Sequence, residues 1–295
     1  MTLQSIFRGP RGFRAGWRFL LFCGLLVAFQ MIANLALDVA VTRSHIAVPP
    51  WPNAVVFIVQ DSVTLLAALA ATFIMARLER RRLVVYYIPG RDCFGREFWI
   101  GTVFGFAGVS LLIGLIALAG GYSLGALNLH GSALMRAALL WILASLAIGF
   151  AEEIVFRGYA QYTLASGMGF WLTSVLVSVI FGALHYFTKP DERWTDWAGT
   201  SLLALFVCYT IRRTGSLRFA IGFHAAFDFF AIYFYSGPNG GNVAVDRLFQ
   251  STFHGSNAIT GGSLGPEASL FVFPAIALMF IVFYRMYGRS PAKVG

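Results

Sequence analysis

The chain has 295 residues, of which 58% are hydrophobic and only 12% charged, and its mean hydropathy is +0.72. This composition lies outside the range of soluble globular domains and predicts a polytopic membrane protein. The formal net charge of +9 does not indicate nucleic-acid binding, because the basic residues fall in short segments between long apolar runs and do not form one face.

Eight apolar segments satisfy the rule that a bilayer core of about 30 Å requires roughly 20 apolar residues of helix. They cover 17–37, 54–76, 97–119, 134–163, 169–188, 194–211, 216–236 and 268–286. The fourth is long enough to project from the membrane. We therefore predict an all-α fold, a polytopic membrane protein with about eight transmembrane helices in a single membrane domain over 1–295.

Basic residues alternate from one connection to the next, as the positive-inside rule requires. They precede the first span, separate the second from the third and the sixth from the seventh, and follow the eighth: Arg8, Arg11, Arg14, Arg18; Arg77, Arg80, Arg81, Arg82, Arg91, Arg96; Arg212, Arg213, Arg218; Arg285, Arg289, Lys293. Both termini are predicted cytoplasmic. The compact loops favour the inner (plasma) membrane of a bacterium.

Cysteine and glycine spacings predict packing more than chemistry. Cys23, Cys93 and Cys208 show no CxxC spacing, so neither a disulfide framework nor a cysteine metal site is indicated. Gly101 and Gly105 form a GxxxG pair in the third span, which suits either dimerisation or packing inside the bundle, and we favour packing. The sequence gives no prediction of oligomeric state.

The stretch GFAEEIVFRGYA, at the end of the fourth span, places three charges in an apolar helix. A charged side chain at the centre of a spanning helix costs about 2.5–3.5 kcal/mol on insertion scales. Glu153 and Arg157 are four residues apart and can form an ion pair on one helical face, which leaves Glu152 without a partner. The alternative is that the cluster lies near the membrane interface, where long side chains reach water.

Two of the five histidines, His185 and His224, lie within apolar spans. Glu152 and His185 are 16 to 17 residues from the turn at 167–169, which predicts a similar depth of about 25 Å on neighbouring helices. An acid and an imidazole at one level are what a general base and its orienting partner need.

The stretch HAAFD puts His224 and Asp228 on one face of the seventh span. Depth counting by helical rise places His224 only about 12 Å from its cytoplasmic turn. This depth is shallower than that of Glu152, so the count does not bring the two residues together unless the turn at 164–168 projects into the cytoplasm.

These residues form three motifs in order: EExxxR at Glu152–Arg157, FxxxH at Phe181–His185, and HxxxN/D at His224–Asp228. The set resembles the CPBP family of intramembrane proteases, which includes type II CAAX prenyl endopeptidases and bacteriocin-immunity relatives. The resemblance covers about 133–236, which it identifies as the catalytic core. The aspartate at 228 departs from the asparagine of the eukaryotic motif, and an aspartate donates a hydrogen bond only when protonated.

The resemblance implies an endopeptidase that hydrolyses a peptide bond of a membrane-associated or lipid-modified, CAAX-type substrate. Glu152 would act as general base on a water held between it and His185. His224 and Asp228 would stabilise the oxygen of the tetrahedral intermediate. Glu153 and Arg157 would support the site as an ion pair.

Three alternatives stay open. We predict no cofactor, but Glu152, His185 and His224 are also suitable zinc ligands, although HExxH is absent from the chain. Intramembrane acids and histidines also occur in proton- or ion-coupled transporters. A non-catalytic immunity or scaffold protein could share the fold. The predicted partners are a membrane-associated peptide or protein substrate and the lipid bilayer, with no nucleic acid.

Overall fold

The computed structural model describes residues 8–9, 12–189, 191 and 193–288. This part of the chain is mostly helical and includes four strands of two residues each, which confirms the all-α class. The helices are α1 Ala15–Arg43, α2 Ala54–Leu78, α3 Arg96–Leu118, α4 Gly131–Val155, α5 Gln161–Met168, α6 Phe170–Thr188, α7 Trp194–Thr214, α8 Arg218–Asp228 and α9 Val272–Tyr287. Single helical turns also occur at Leu83–Tyr86 and Asn257–Thr260.

The strands form two small antiparallel pairs outside the helical bundle. β1 Arg8–Gly9 pairs with β2 Gly12–Phe13 before α1. β3 Tyr122–Ser123, which follows α3, pairs with β4 Thr252–Phe253 in the long connection before α9.

Every predicted span coincides with a helical segment, and the chain is an integral membrane protein. Five segments are long and apolar enough to cross a membrane: α1, α2, α3, the stretch Gly131–Met168 and α6. The other three predicted spans differ in length or polarity. α9 has 16 residues, α8 has 11 before its irregular continuation, and α7 begins beside Asp196 and ends with two arginines. That these three also cross the membrane stays a prediction.

The fourth predicted span is interrupted, which the sequence analysis did not foresee. After Val155 the helix widens into a π-helical turn, Phe156–Ala160, in which Gly158 has the non-helical angles φ −77° and ψ −118°. α5 then continues to Met168. A second π-helical segment, Phe229–Phe234, follows α8 directly after Asp228. Wide turns of this kind are frequent at functional sites. Here the first includes the last two residues of EExxxR, and the second directly follows HxxxD.

Two glycines of α3 let α8 approach closely, which confirms the packing interpretation of GxxxG. A Cβ at Gly101 would overlap the carbonyl oxygen of Phe219, and one at Gly105 would overlap that of Phe223. Gly222 of α8 is in the same position against the carbonyl of Phe98. Because backbone contacts backbone, the position of α8, and of the motif it carries, is fixed by α3.

The arginine-bearing connections lie together at one end of the bundle, named here the arginine-rich end. Arg18 at the start of α1 forms an ion pair of 3.3 Å with Glu79 at the end of α2. The amide of Leu217 donates to the carbonyl of Tyr87 at 3.0 Å. At the end of α9, the hydroxyl of Tyr287 donates to Glu97 of α3 at 2.7 Å. Of the basic residues used to predict topology, Arg11, Arg289 and Lys293 lie outside the described residues, as does the side chain of Arg8.

The opposite end, named here the loop end, is built from the connections 44–53, 119–130 and 237–271 and from the helix ends beside them, including Arg43, Arg136, Thr188, Lys189 and Arg193. The β3·β4 pair joins the second of these to the third. The indole of Trp141 donates to Asp246 at 2.9 Å, and the amide of Asn128 donates to the carbonyl of Leu248 at 2.8 Å. These bonds fix the long connection over the ends of the helices.

Candidate active site

His224 joins the first and third motifs. Its Nδ1 atom lies 2.8 Å from Oε1 of Glu153, and its Nε2 atom lies 3.6 Å from Oε2 of Glu152 and 3.5 Å from Oδ2 of Asp228. The imidazole therefore faces three carboxylates. Glu152 and Glu153 come from the last turn of α4, and His224 and Asp228 from one face of α8.

Glu153 and Arg157 form the predicted ion pair, with 3.2 Å between Nη1 and Oε1 and each side chain only 1% exposed. The same Oε1 atom accepts the hydrogen bond of His224 Nδ1. Glu153 thus fixes the imidazole as well as pairing with the arginine, a contact that the sequence analysis did not predict. A second carboxylate that orients a histidine is a common device in sites where the other ring nitrogen does chemistry.

His185 is fixed by its own helix. Its Nδ1 atom lies 2.9 Å from the carbonyl oxygen of Phe181 one turn earlier. A carbonyl only accepts, so Nδ1 carries the proton and, in the neutral ring, Nε2 is the acceptor. The Phe181 ring lies 4.5 Å from the His185 ring, centroid to centroid, and the Arg157 guanidinium lies 4.3 Å from the Phe181 centroid. The phenylalanine of FxxxH therefore packs between the buried ion pair and the histidine.

Glu152, His185, His224 and Asp228 all line one cavity of about 500 Å³. The structure thus brings together the four residues predicted to be catalytic. Ile148 and Ile232 form apolar walls, and the rim is formed by loop-end residues: Trp51, Thr188, Lys189, Asn239, Gly240 and Glu267. A cavity of this size accommodates a peptide segment together with water.

A smaller pocket of about 80 Å³ adjoins His185 and His224. Its walls are mainly apolar and come from α6, α7 and α8, with Leu203, Ala204 and Val207 of α7 on one side and Phe227 on another. This volume suits a small aliphatic side chain and is less than an aromatic ring requires.

The depth count for His224 was wrong. His224 lies beside Glu152, although the count along helical rise placed it shallower. The count assumed a regular helix from Glu152 to the turn near residue 168, whereas a π-helical turn and a kink at Gly158 interrupt that helix. The close packing of α8 on α3 further sets its depth independently of its own turn.

Two polar features near the site were missed by the sequence analysis. Asp61 of α2 lies close enough to His224 and Asp228 for their charges to interact, and a lone aspartate in an apolar span was the signal for it. Lys189 follows α6, and its Nζ atom lies 2.8 Å from Asp196 and 3.7 Å from Glu267. No motif in the sequence predicts that ion-pair cluster.

The charges of the lysine cluster shift the pKa values of its members. Burial alone would lower the pKa of Lys189, but the charges of Glu267 and Asp196 outweigh it and hold the pKa above its usual range. Burial raises the pKa of Glu267, and the charge of Lys189 opposes that shift without cancelling it. The cluster therefore keeps a positive charge at the rim of the cavity, compensated by two carboxylates.

Zinc binding by Glu152, His185 and His224 requires their donor atoms to converge on one point. Among the described residues, no group of three or more His, Cys, Asp or Glu side chains is arranged to hold a metal ion. The set Glu152, His185 and His224 does not fit a zinc site as placed, so no step of the chemistry below passes through a metal.

Comparison with known proteins gives a family match over the region that holds these motifs. Residues 132–230 match the family model described as type II CAAX prenyl endopeptidase Rce1-like. This segment is similar to the Rce1-like family. The match confirms the resemblance to type II CAAX endopeptidases, and it includes the four residues of the cavity named above together with the ion pair that supports them. The family is one of proteases, which supports protease activity in general terms.

The chain is also similar to a curated Bacillus subtilis (strain 168) protein, the uncharacterized protein YyaK. The two are 30% identical over 123 residues, which is 38% of this chain and 40% of the relative. The similarity thus spans less than half the length of either protein. No solved structure matches the chain.

Proposed function

We propose that the protein is an intramembrane endopeptidase that hydrolyses a peptide bond of a membrane-associated substrate with a water activated by Glu152. The observation that carries the proposal is the bridging position of His224. One ring nitrogen contacts Glu153 and the other faces Glu152 and Asp228, inside a cavity that His185 also lines. Glu152 as a base, the His185 imidazole as a hydrogen-bond acceptor and the His224 imidazolium as a cationic group would thus surround one cavity.

In the proposed first step, Glu152 accepts a proton from water as the water oxygen attacks the scissile carbonyl carbon. Oε2 of Glu152 is buried and has no hydrogen-bond partner among the described residues, so it is available as a base. His185 presents Nε2 as an acceptor, because Nδ1 is committed to the Phe181 carbonyl. It would hold the second hydrogen of the same water and so fix the direction of attack.

The charge that develops on the carbonyl oxygen would be stabilised by His224. An imidazolium donates from both nitrogens, and the carboxylate of Glu153 at Nδ1 favours that charged form. Asp228, at 3.5 Å from Nε2, would hold the ring in line, and it would add to the same stabilisation only in its protonated form, because a carboxylate cannot donate a hydrogen bond. Removing a single donor of this kind typically costs about 10²–10³ in rate.

Collapse of the intermediate breaks the carbon–nitrogen bond, and the proton held by Glu152 passes to the leaving amine. The carboxylate is thereby restored, and the products are a new carboxyl terminus and a new amino terminus. Glu153 and Arg157 take no part in proton transfer here. They are positioning residues that act through His224 and Phe181.

The substrate we propose is a peptide close to the membrane, of the lipid-modified CAAX type or another membrane-associated kind, because the cavity lies between apolar helices. The adjoining small pocket suits an aliphatic side chain next to the scissile bond. We further propose a catalytic core over 133–236 within one membrane domain, residence in a bacterial inner membrane, and cytoplasmic termini, the last on the pattern of arginines.

The proposal is tested by comparing membrane proteomes of cells that carry the wild type, Glu152→Gln, or Glu97→Gln. Glu97 lies at the arginine-rich end, where it accepts from Tyr287, and serves as the matched control. We expect a precursor to accumulate in Glu152→Gln cells alone, with loss of its processed form. Identical proteomes in all three would overturn the proposal.

A further inference from the structure

The cavity opens at the loop end of the bundle. Its rim consists of Trp51 from the connection after α1, Thr188 and Lys189 from the end of α6, and Asn239, Gly240 and Glu267 from the connection before α9. All three connections lie at the end opposite the arginine-rich one. Glu152 and His224 lie at the inner end of this opening.

On the arginine-rich side, the site is closed by buried polar contacts. Glu153 and Arg157 are each 1% exposed, and Gln161, the first residue of α5, is fully buried. The side chain of Gln161 donates to Ser174 of α6 at 3.1 Å and accepts from the thiol of Cys208 of α7 at 3.3 Å. These bonds connect α5, α6 and α7. None of the described residues that line the cavity comes from the arginine-bearing connections.

The charge distribution indicates which side of the membrane each end faces. Twelve of the arginines that define the predicted topology have described side chains, and all twelve belong to segments at the arginine-rich end. Five basic residues belong to the loop end: Arg43, Arg136, Lys189, Arg193 and Arg247. Because basic residues accumulate on the cytoplasmic side, the arginine-rich end is the cytoplasmic end. The mouth of the cavity is then on the other side.

We infer that the site takes its substrate from the non-cytoplasmic side of the membrane, and that the substrate is an extracytoplasmic segment of a membrane-anchored protein. That the bound segment is a substrate rests on the proposed function. The side of the membrane on which the cavity opens does not depend on the proposed function. A cytoplasmic peptide would have to pass the buried Gln161 and Arg157 contacts to reach Glu152.

The charges along the cavity also restrict the chemistry of that segment. Glu152, Asp228 and Glu267 line it, and the lysine that lines it, Lys189, is already paired with Asp196 and Glu267. A free carboxyl terminus would therefore meet several carboxylates and no uncommitted lysine or arginine among the described lining residues. The peptide thus binds as an internal segment and not by its carboxyl terminus.

The first experiment determines the sidedness without any assay of proteolysis. Two variants of the full-length protein share the changes Cys23→Ala and Cys208→Ser. One keeps the native Cys93, in the connection 79–95 at the arginine-rich end, and the other combines Cys93→Ser with Thr188→Cys at the rim. Thr188 is exposed and Cys93 partly exposed. Each is expressed in bacterial cells, and spheroplasts are treated with a membrane-impermeant maleimide before and after permeabilisation.

We expect the Thr188→Cys variant to be labelled in intact spheroplasts and the Cys93 variant to be labelled only after permeabilisation. The reverse pattern, or labelling of Cys93 in intact spheroplasts, would overturn the inference and leave the proposed chemistry standing. Retention of each variant in the membrane and its labelling after permeabilisation, measured in the same preparation, serve as the controls for folding and for thiol reactivity.

The second experiment locates the bond that is cut. New amino termini that disappear in Glu152→Gln membranes are mapped onto their parent proteins. We expect them in extracytoplasmic segments, with more than a few residues remaining on each side of the cut. Cuts in cytoplasmic segments, or removal of a short carboxyl-terminal peptide, would contradict the inference but support the proposed endopeptidase. Absence of any Glu152-dependent cut would contradict the proposed function, and the labelling would still decide the sidedness.

Discussion

Nδ1 of His224 lies 2.8 Å from Oε1 of Glu153, although 71 positions separate the two residues in the chain. This contact joins the EExxxR motif to the HxxxD motif through the second glutamate of the pair. The first glutamate, Glu152, is left facing Nε2 of the same ring and the cavity. Two adjacent and chemically identical side chains therefore have different tasks, and their substitutions should differ in kind.

Glu153→Gln should destabilise the fold, because it leaves the guanidinium of Arg157 buried without a charged partner. Breaking one half of a buried ion pair typically costs about 3–5 kcal/mol in free energy of unfolding. Glu152→Gln, in contrast, should leave thermal stability close to that of the wild type. The measurement is the midpoint of thermal unfolding of each purified variant in the same detergent.

A double variant separates charge from shape in this prediction. Glu153→Gln combined with Arg157→Met removes both charges, and it should recover a large part of the stability lost in Glu153→Gln alone. Equal midpoints for Glu152→Gln and Glu153→Gln would show that the ion pair does not contribute to stability as described.

His185→Gln should slow cleavage of the precursor by about 10²–10⁴, the usual range for a group that manages a proton in the transition state. The side chain of glutamine keeps polar atoms but lacks an imidazole acceptor in line with the Phe181 carbonyl. His254→Gln is the matched control, because His254 lies at the loop end and contacts Thr252 and Ser123. Initial rates with the precursor in liposomes provide the test, and equal rates for the two variants would exclude the role given to His185.

Gly105→Ala should reduce both stability and activity, since its Cβ would overlap the backbone of α8 at Phe223 and move His224. Overpacking of this kind typically costs about 1–3 kcal/mol. Gly114→Ala in the same helix has open space around the new methyl group and is the control, expected to be neutral or slightly stabilising. Thermal unfolding of both variants checks the difference, which should vanish if α3 and α8 do not pack as found.

The ion pairs of Lys189 should give a stability that depends on pH. The pKa of Lys189 is raised in the folded protein above its ordinary 10.5. The contribution of its ion pairs to the free energy of unfolding is therefore complete below pH 10.5 and is lost as pH rises through the pKa of the folded state. The stability difference between wild type and Lys189→Met should thus be constant from about pH 7 to 9 and shrink above about 10.5.

Lys189→Arg gives a control for the pH dependence. Arginine keeps its charge to higher pH than lysine does. Any stabilisation by ion pairs that this variant retains should therefore persist at pH values at which the stabilisation by Lys189 is lost. Thermal midpoints of the three proteins across the pH range provide the comparison. A difference between wild type and Lys189→Met that stayed constant through about pH 12 would contradict the assignment of a charged lysine to this cluster.

The sequence was sufficient to predict the helices and the residues of the three motifs, for physical reasons. Long apolar runs must be helical in a bilayer, and polar side chains within them are costly enough to mark the site. Glu152, His185, His224 and Asp228 were all found from that signal and from motif spacing. Arg157 was paired correctly with Glu153 because the i, i+4 relation is local.

The features that were not predicted depend on how the helices bend and pack, which residue spacing within one helix does not determine. The kink at Gly158 and the π-helical turns broke the assumption of uniform rise, so the predicted depth of His224 was wrong. The contact of Glu153 with His224 and the cluster of Lys189 with Asp196 and Glu267 join different elements, and each depends on how helices pack. The predicted roles of the site residues stay predictions until they are tested by substitution.

Single-turnover cleavage of the accumulated precursor measures whether Glu152 activates the water. Purified wild type and Glu152→Gln are each placed in excess over precursor in liposomes, and product is followed with time. We expect a rate at least about 10² lower for Glu152→Gln, with unchanged thermal stability. Equal rates for the two proteins would contradict that role of Glu152.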